Sequence, residues 1–313
     1  MTKARPQYAG ASYRLTVRCS ERRYMLSPGY PEVANLMGYM LSIAANRYGI
    51  LVHSLCIMSN HVHADCTDPN GRWSDFCRDF VAQSARPLNA FHGRWEASWT
   101  KSSSQEVVTR QAALNGMAYT IANPVRAGLV AAPRAWPGLM TCVRDIPTAD
   151  DTCTAWEFTR PTFFFRHEED GGLPDRSTLY ITPHPLAGED PAGFAAELIE
   201  EVARICRDKR REVRKAGSRF AGAAAVCRKR WWQSPNTSAP RRELEPQFAE
   251  PDPEVRRADT VLVKERKLFT AEYTASIRQW RETGQAVFPP GTCAMRGMPG
   301  VTIRAGPRPF QRA

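Results

Sequence analysis

At 313 residues the chain can bury one large core or two modest ones, and its mean hydropathy of −0.45 indicates a water-soluble globular protein. It contains no apolar run of about 18 residues and no apolar signal segment near residue 1, so we expect neither a membrane span nor secretion, and a cytoplasmic location. A net charge of +11 favours a polyanionic partner. Nine cysteines without a CxxC motif exclude a zinc ribbon and indicate reduced thiols.

Hydrophobic spacing predicts the first elements in chain order: strand 13–20, helix 32–49, a strand-rich run 50–59, helix 74–89 and helix 106–123. Strand, helix, strand is the beginning of an α+β fold. Gly49 is the predicted C-cap of the first helix. Pro124 is expected to end the last of these helices, because proline disfavours the α conformation in the residue before it.

The composition changes near residue 145, where loop-rich sequence replaces regular elements. Further on, Asp190 is the predicted N-cap of a helix with an apolar stripe, and prolines cluster in 233–254. A last helix is predicted for 255–282. We therefore predict four regions: an α+β domain 1–145, a basic and partly helical extension 146–232, a Pro-rich linker 233–254, and a C-terminal helix and tail 255–313.

The positive charge is concentrated in the extension. Between Arg204 and Arg230 there are eleven Lys or Arg residues against two acids, a local excess of nine, and Trp231 and Trp232 follow directly. Two interpretations stay open: a solvated charged face, or a helix that binds phosphates. In the second case the candidate DNA contacts are Arg207, Arg210, Arg211 and Arg214.

Two of the six histidines are one residue apart in a predicted strand. Because side chains alternate along a strand, His61 and His63 share one face and Val62 lies on the other. Two imidazoles placed in this way can bind one divalent ion. The alternative is a chance HxH in which both rings make surface hydrogen bonds.

A second candidate group lies on the helix predicted for 106–123. Tyr119 and Asn123 are four residues apart and share a helical face. Above a strand that bears two imidazoles, they would give a metal with three protein ligands and a phenol that attacks phosphorus. The alternative is a packed tyrosine with its hydroxyl at the surface and an asparagine that only ends a helix.

Both segments resemble motifs of the HUH single-tyrosine transposases, and in particular of the REP-associated tyrosine transposases of bacteria. "MSNHVHAD" is similar to the family's M-P-N-H-V-H strand, and "AYTIANPVRAGLV" to its Y-I-x-x-N-P-V-R-A-G-L-V helix end. "HGRWEASWTKSS" and "WPG" lie where related members have similar segments. The resemblance spans roughly 13–138, and the two motifs in this order are much more specific than either one alone.

The resemblance implies an α+β fold with a central antiparallel sheet flanked by helices. It also implies a metal pair, His61 and His63, that binds Mg²⁺ or Mn²⁺, with Tyr119 as the nucleophile and Asn123 as the third ligand. We expect cleavage activity to fall as pH drops through about 6.5, because metal ligation needs neutral imidazole. Asp65, on the histidine face, is interpreted either as a further ligand or, preferably, as a solvated strand end.

The implied reaction is nicking and joining of single-stranded DNA at hairpin-forming repeats, through a 5′ phosphotyrosine and without a nucleotide cofactor. The implied setting is the bacterial nucleoid, with no membrane partner; a homodimer and a monomer are both open. Trp95 and Trp99 are candidates for base stacking, although core packing is the favoured interpretation. Two other functions are weighed: a domesticated DNA-binding protein that no longer cleaves, and a metal phosphoesterase, which would need more carboxylate ligands.

Overall fold

The computed structural model describes residues 6–100, 102–149, 152–163, 172–236 and 261–305. The strands are β1 Ala11–Arg18, β2 Leu51–Met58, β3 His61–Asp68, β4 Ser103–Val107, β5 Thr154–Thr159, β6 Arg176–Ile181, β7 Ala286–Phe288 and β8 Val301–Ile303. The helices are α1 Pro31–Tyr48, α2 Trp73–His92, α3 Arg110–Arg126, α4 Pro191–Lys215, α5 Ala223–Cys227 and α6 Val261–Thr283.

Six strands form one sheet in the order β4-β1-β3-β2-β6-β5, and β7 pairs with β8 separately. The first four strands of the large sheet are antiparallel, as predicted. β6 pairs parallel to β2 at Val52 and Ile181, so the complete sheet is mixed. The α+β fold with a central sheet, flanking helices and a helical C-terminal part is confirmed.

Helices cover both faces of this sheet. α3 lies on the face that carries Asp65, since Thr120 Oγ1 donates to the Asp65 carboxylate at 2.6 Å. α2 lies on the opposite face, where the ring of Trp73 stacks on that of Tyr13 at 4.5 Å between centroids. Val62, which alternates with the histidines, is 0% exposed. The strand register therefore places the histidine face under α3 and the aliphatic face in the core.

The region after residue 145 continues the same core. β5 and β6 extend the sheet, and Gly38 on α1 leaves room for the Phe158 ring of β5. α4 packs beside α3, where the Arg110 guanidinium bonds both Glu197 carboxylate oxygens at 2.8 and 2.9 Å and lies over the Phe194 ring. One sheet therefore includes strands from both sides of residue 145, the predicted domain boundary.

Two local predictions are wrong. Residues 106 and 107 belong to β4, and α3 begins only at Arg110, where the Thr109 side chain accepts from the Ala112 amide at 3.1 Å. Pro124 does not end α3, which continues to Arg126. In the last helical turn a proline removes only one backbone hydrogen bond, a cost that the packing of Ile121 and Val125, both fully buried, offsets.

The predicted caps of two other helices are confirmed. Gly49 is the C-cap of α1, and the Asp190 side chain accepts from the Gly193 amide at 2.8 Å at the start of α4. The predicted linker 233–254 and the predicted helix start at 255 lie mostly outside the described residues, which resume at Val261 in α6. In the described ranges, no helix has both the length and the apolarity to cross a membrane.

Candidate active site

His61 and His63 lie side by side at the start of β3. Their ring centroids are 4.7 Å apart with an interplanar angle of 84°. The prediction that both rings share one face of a strand is confirmed. His63 is buried, and His61 is partly exposed at the strand end next to the β2–β3 turn.

One nitrogen of each ring is hydrogen-bonded, which leaves Nε2 of each ring as the candidate metal ligand. His61 Nδ1 is 2.7 Å from Asn60 Oδ1, an acceptor, so Nδ1 bears the proton and Nε2 keeps its lone pair. His63 Nδ1 is 3.0 Å from Thr16 Oγ1. His63 Nε2 is buried and has no hydrogen-bond partner in the described part of the chain. A divalent ion on the Nε2 atoms would satisfy that buried nitrogen, so the two residues fit a metal.

Burial and neighbouring cations keep both imidazoles neutral. Burial, followed by the charges of Arg18 and Arg22, lowers the pKa of His61 to about 3. Burial also holds the pKa of His63 well below its usual range, with smaller contributions from His61 and the nearby arginines. Because metal ligation needs neutral imidazole, protons do not compete for this pair near pH 6.5. The expected loss of activity through pH 6.5 therefore does not follow.

α3 places Tyr119 against the histidine pair. The Tyr119 ring is 5.4 Å from the His63 ring, edge to face, and the Arg126 guanidinium lies 4.0 Å above the Tyr119 centroid. Tyr119 is half-buried, and Asn123, one turn further along the same side of α3, is buried. The fold thus brings the predicted tyrosine, more than fifty residues from the histidines in the sequence, into contact with His63.

Asp65 is not a solvated strand end, and that preferred interpretation is wrong. The residue is buried, and its Oδ1 accepts from Arg14 Nε at 3.2 Å. Its Oδ2 accepts from Ser54 and Thr120, each at 2.6 Å. Both carboxylate oxygens are therefore engaged by the protein itself, which argues against a role as a metal ligand.

The other predicted DNA contacts lie on α4 and on the segment between α2 and β4. The four α4 arginines predicted to contact DNA are all exposed, and the side chain of Arg210 donates to the carbonyl of Ala131 at 2.9 Å. Trp95 is 89% exposed, contrary to the core packing that was favoured for it. Trp99 is 9% exposed, so its ring is packed in the core and offers little surface to a base.

Three residues of the site were not predicted from the sequence. Arg126 had a signal, because it lies seven residues after Tyr119 and two helical turns bring it to the same side. Asn60 had a weaker signal, since it directly precedes His61 in the turn. Thr16 had none, because its contact with His63 arises only from the pairing of β1 with β3.

The sequence and the fold of the chain were compared with those of known proteins. No protein-family model matches the sequence, and no curated protein matches it. One similar solved structure is a REP-associated tyrosine transposase bound to a REP hairpin, with 19% identity and a TM-score of 0.39 over 46% of this chain and 85% of that one. Another is described as a presumed transposase from Deinococcus radiodurans, with 21% identity and a TM-score of 0.26 over 33% of this chain and 84% of that one. At these TM-scores the functional conclusion depends on the site residues.

Proposed function

We propose that this protein nicks and joins single-stranded DNA by transesterification through Tyr119, with a divalent metal ion, at hairpin-forming repeats. One observation supports this most directly. The Tyr119 ring contacts His63, whose buried Nε2 has no partner among the described residues, and the Arg126 guanidinium lies over the phenol. The hairpin target comes from the resemblance of the two motifs.

His61 and His63 would hold the ion through their Nε2 atoms, with the Asn123 amide oxygen as the proposed third ligand. Asn60 and Thr16 orient the two rings through Nδ1, as residues behind metal-bound histidines commonly do. When bound, Mg²⁺ or Mn²⁺ supplies Lewis-acid polarisation of a phosphate oxygen.

The reaction needs no nucleotide cofactor, because it exchanges one P–O bond for another. Tyr119 Oη attacks phosphorus and loses its proton to solvent, the P–O3′ bond breaks, and the 3′ oxygen takes up a proton and leaves. The product is a 5′ phosphotyrosine and a free 3′ hydroxyl. A second 3′ hydroxyl reverses the exchange, so one P–O bond forms for each that breaks. Arg126 places positive charge beside the attacked phosphate.

The competing functions are less well supported. A DNA-binding protein that no longer cleaves needs the basic surface. It has no need of a tyrosine packed edge to face against His63, whose buried Nε2 has no partner among the described residues. A hydrolytic metal phosphoesterase needs carboxylate ligands. The described residues contain no group of three or more His, Cys, Asp or Glu placed to hold a metal, and Asp65 is engaged elsewhere.

The deciding experiment is incubation of labelled hairpin DNA, bearing unpaired flanks, with the protein and Mn²⁺, followed by a denaturing gel. We expect a covalent protein–DNA adduct that EDTA prevents and that Tyr119→Phe abolishes without loss of DNA binding. The matched control is Tyr180→Phe, because Tyr180 is exposed on β6 away from the histidines. An adduct of equal yield in Tyr119→Phe would remove Tyr119 from the reaction.

The proposed DNA contacts on α4 have their own test. In the described part of the chain Arg207 and Arg214 have no carboxylate partner, whereas Arg204 is paired with Glu201 at 2.5 Å and Asp208 at 3.2 Å. Arg207→Gln with Arg214→Gln should weaken DNA binding and reduce its log–log salt slope by about 0.7 to 0.9 per lost contact. Arg204→Gln should change the slope less. An unchanged slope in the double variant would show that this face of α4 is a solvated surface that does not contact DNA phosphates.

A further inference from the structure

Two tryptophans are exposed on two segments that the fold brings together. Trp95 follows α2 and is 89% exposed, and Trp232 follows the basic segment and is 57% exposed. Exposed large aromatic side chains in one surface region indicate a binding site more often than a chance arrangement. They come from distant parts of the sequence, and the fold brings their two segments into contact through Trp231, His92 and Arg94.

The ring of Trp232 lies against the ring of Trp231. It lies 5.7 Å from the Trp231 ring at 90°. The centroid of the Trp231 ring is in turn 5.3 Å from that of the His92 ring, at a tilt of 33°, and the Arg94 guanidinium is 5.5 Å from the Trp231 centroid. Since Arg94 directly precedes Trp95, these contacts hold the two segments next to each other. We call Trp95, Trp231 and Trp232, together with the buried side chains of His92 and Arg94 that Trp231 contacts, the tryptophan patch.

Hydrogen bonds connect the tryptophan patch with the candidate active site. The carbonyl of Gln233 accepts from the Tyr24 amide at 2.9 Å. Arg22 lies two residues before Tyr24 in the loop between β1 and α1, and its carbonyl accepts from Asn60 Nδ2 at 3.0 Å. Asn60 Oδ1 in turn orients His61. One short loop thus separates the patch from the histidines.

Positive charge borders the tryptophan patch. Arg228, Lys229 and Arg230 are exposed and immediately precede Trp231. In the described ranges none of the three is within ion-pair distance of a carboxylate, although Lys229 Nζ lies 5.8 Å from the Tyr24 ring centroid. Cations without a carboxylate partner beside exposed aromatic rings match a partner that has both phosphates and exposed base faces.

We propose that the tryptophan patch binds unpaired nucleotides of a DNA strand that leads into the candidate active site. Bases stack on Trp95 and Trp232, and the phosphates between them contact Arg228 and Arg230. Single-stranded DNA is the occupant because base faces are available only where pairing is absent. The proposal rests on the proposed function, since it gives that site a path for its substrate.

The test uses the full-length chain with Tyr119→Phe, so that binding is measured without cleavage. Two labelled DNAs are compared: a hairpin with a blunt stem, and the same hairpin with an unpaired oligothymidine tail. Trp95→Ala with Trp232→Ala should weaken binding of the tailed hairpin at least about tenfold and leave the blunt hairpin unchanged. Trp95→Phe with Trp232→Phe should retain most of the affinity, because phenylalanine still stacks.

Tyr180→Ala is the control, because it removes an exposed ring of similar size, 48% exposed, on another element. Equal loss on both DNAs, no loss on either, or equal affinity of the parent protein for the two DNAs would overturn the proposal. Thermal unfolding should show that all variants are folded. Adduct formation by the unsubstituted protein is measured separately, so failure of the tryptophan patch is distinguishable from failure of the proposed chemistry.

Discussion

The protein contains two close pairs of histidines that differ in one decisive respect. The rings of His61 and His63 are 4.7 Å apart, and those of His53 and His184 are 4.5 Å apart. Burial lowers the pKa of His53 to about 4 and that of His184 well below its usual range, just as it lowers the pKa of the first pair. Proximity, burial and neutral imidazole therefore do not distinguish them.

Hydrogen bonding distinguishes them. His53 Nδ1 is bonded to the Thr182 carbonyl at 3.1 Å, and its Nε2 to Thr67 Oγ1 at 2.8 Å, so both nitrogens are satisfied. His184 Nδ1 accepts from the Leu186 amide. His63, by contrast, has a buried nitrogen with no partner among the described residues. A nitrogen that the protein does not satisfy is a better indicator of a metal site than the spacing of two rings.

The largest expected effect comes from substituting the histidines of each pair and comparing the results. His61→Ala with His63→Ala should abolish the covalent adduct and the thermal stabilisation by Mn²⁺, because a ligand that binds only the folded state stabilises it. His53→Gln should keep both and lower stability by about 1 to 3 kcal/mol, since it disturbs buried hydrogen bonds. The measurements are adduct yield and melting temperature with and without Mn²⁺. Mn²⁺ stabilisation that survives in the double alanine variant would refute the metal assignment.

His53, whose two ring nitrogens are both hydrogen-bonded, should contribute to the pH dependence of stability. The folded protein keeps His53 neutral down to about pH 4, whereas the unfolded chain takes up a proton near pH 6.5. The unfolded state then binds more protons, so stability falls as pH falls through that window, by up to about 1.4 kcal/mol per pH unit for this residue. Urea unfolding between pH 7 and 4 measures it. His53→Gln should reduce the slope by about one proton, and an identical slope would contradict this assignment.

A smaller effect is expected from the residue behind the metal pair. Thr16→Val removes the hydrogen bond to His63 Nδ1 at nearly constant volume, and should weaken Mn²⁺ binding about 10- to 100-fold. Excess Mn²⁺ should restore the adduct. Thr67→Val is the matched control, because Thr67 bonds His53 instead. If both variants shift the Mn²⁺ requirement equally, Thr16 does not position the site.

The smallest effect on metal binding is expected at Asp65. Asp65→Asn leaves Arg14 without its carboxylate and should reduce stability, but the Mn²⁺ concentration needed for the adduct should stay within about threefold, because the protein already engages both Asp65 oxygens. Titration of adduct yield with Mn²⁺ measures this. A much larger requirement would make Asp65 part of the metal site after all.

The sequence allowed part of the site to be predicted, for physical reasons. Alternation along a strand placed His61 and His63 together, and helical spacing placed Tyr119 and Asn123 on one side of α3. Neither rule gives the partners that lie on other elements. The choice between Asp65 as a further metal ligand and as a solvated strand end could not foresee Arg14, which strand pairing brings opposite it.

The fold was predictable to a similar extent. Local periodicity located β1, α1, β2 and α3, but it gave β4 no separate signal because that strand is short and mostly polar. The parallel pairing of β6 with β2 could not be predicted from local sequence patterns either. It joins residues more than a hundred positions apart through a single register point, Val52 with Ile181.

The pairing of β6 with β2 also has a consequence for which fragments of this chain can fold alone. A fragment ending at residue 145, where the motifs suggest a natural end, would lose Phe158, Leu179 and Ile181, all of which are buried. It would leave part of α1 bare and one end of β2 without a neighbour. An open strand next to an uncovered apolar face is a template for pairing with another chain. Such a fragment should aggregate when expressed, although it contains every residue of the proposed chemistry.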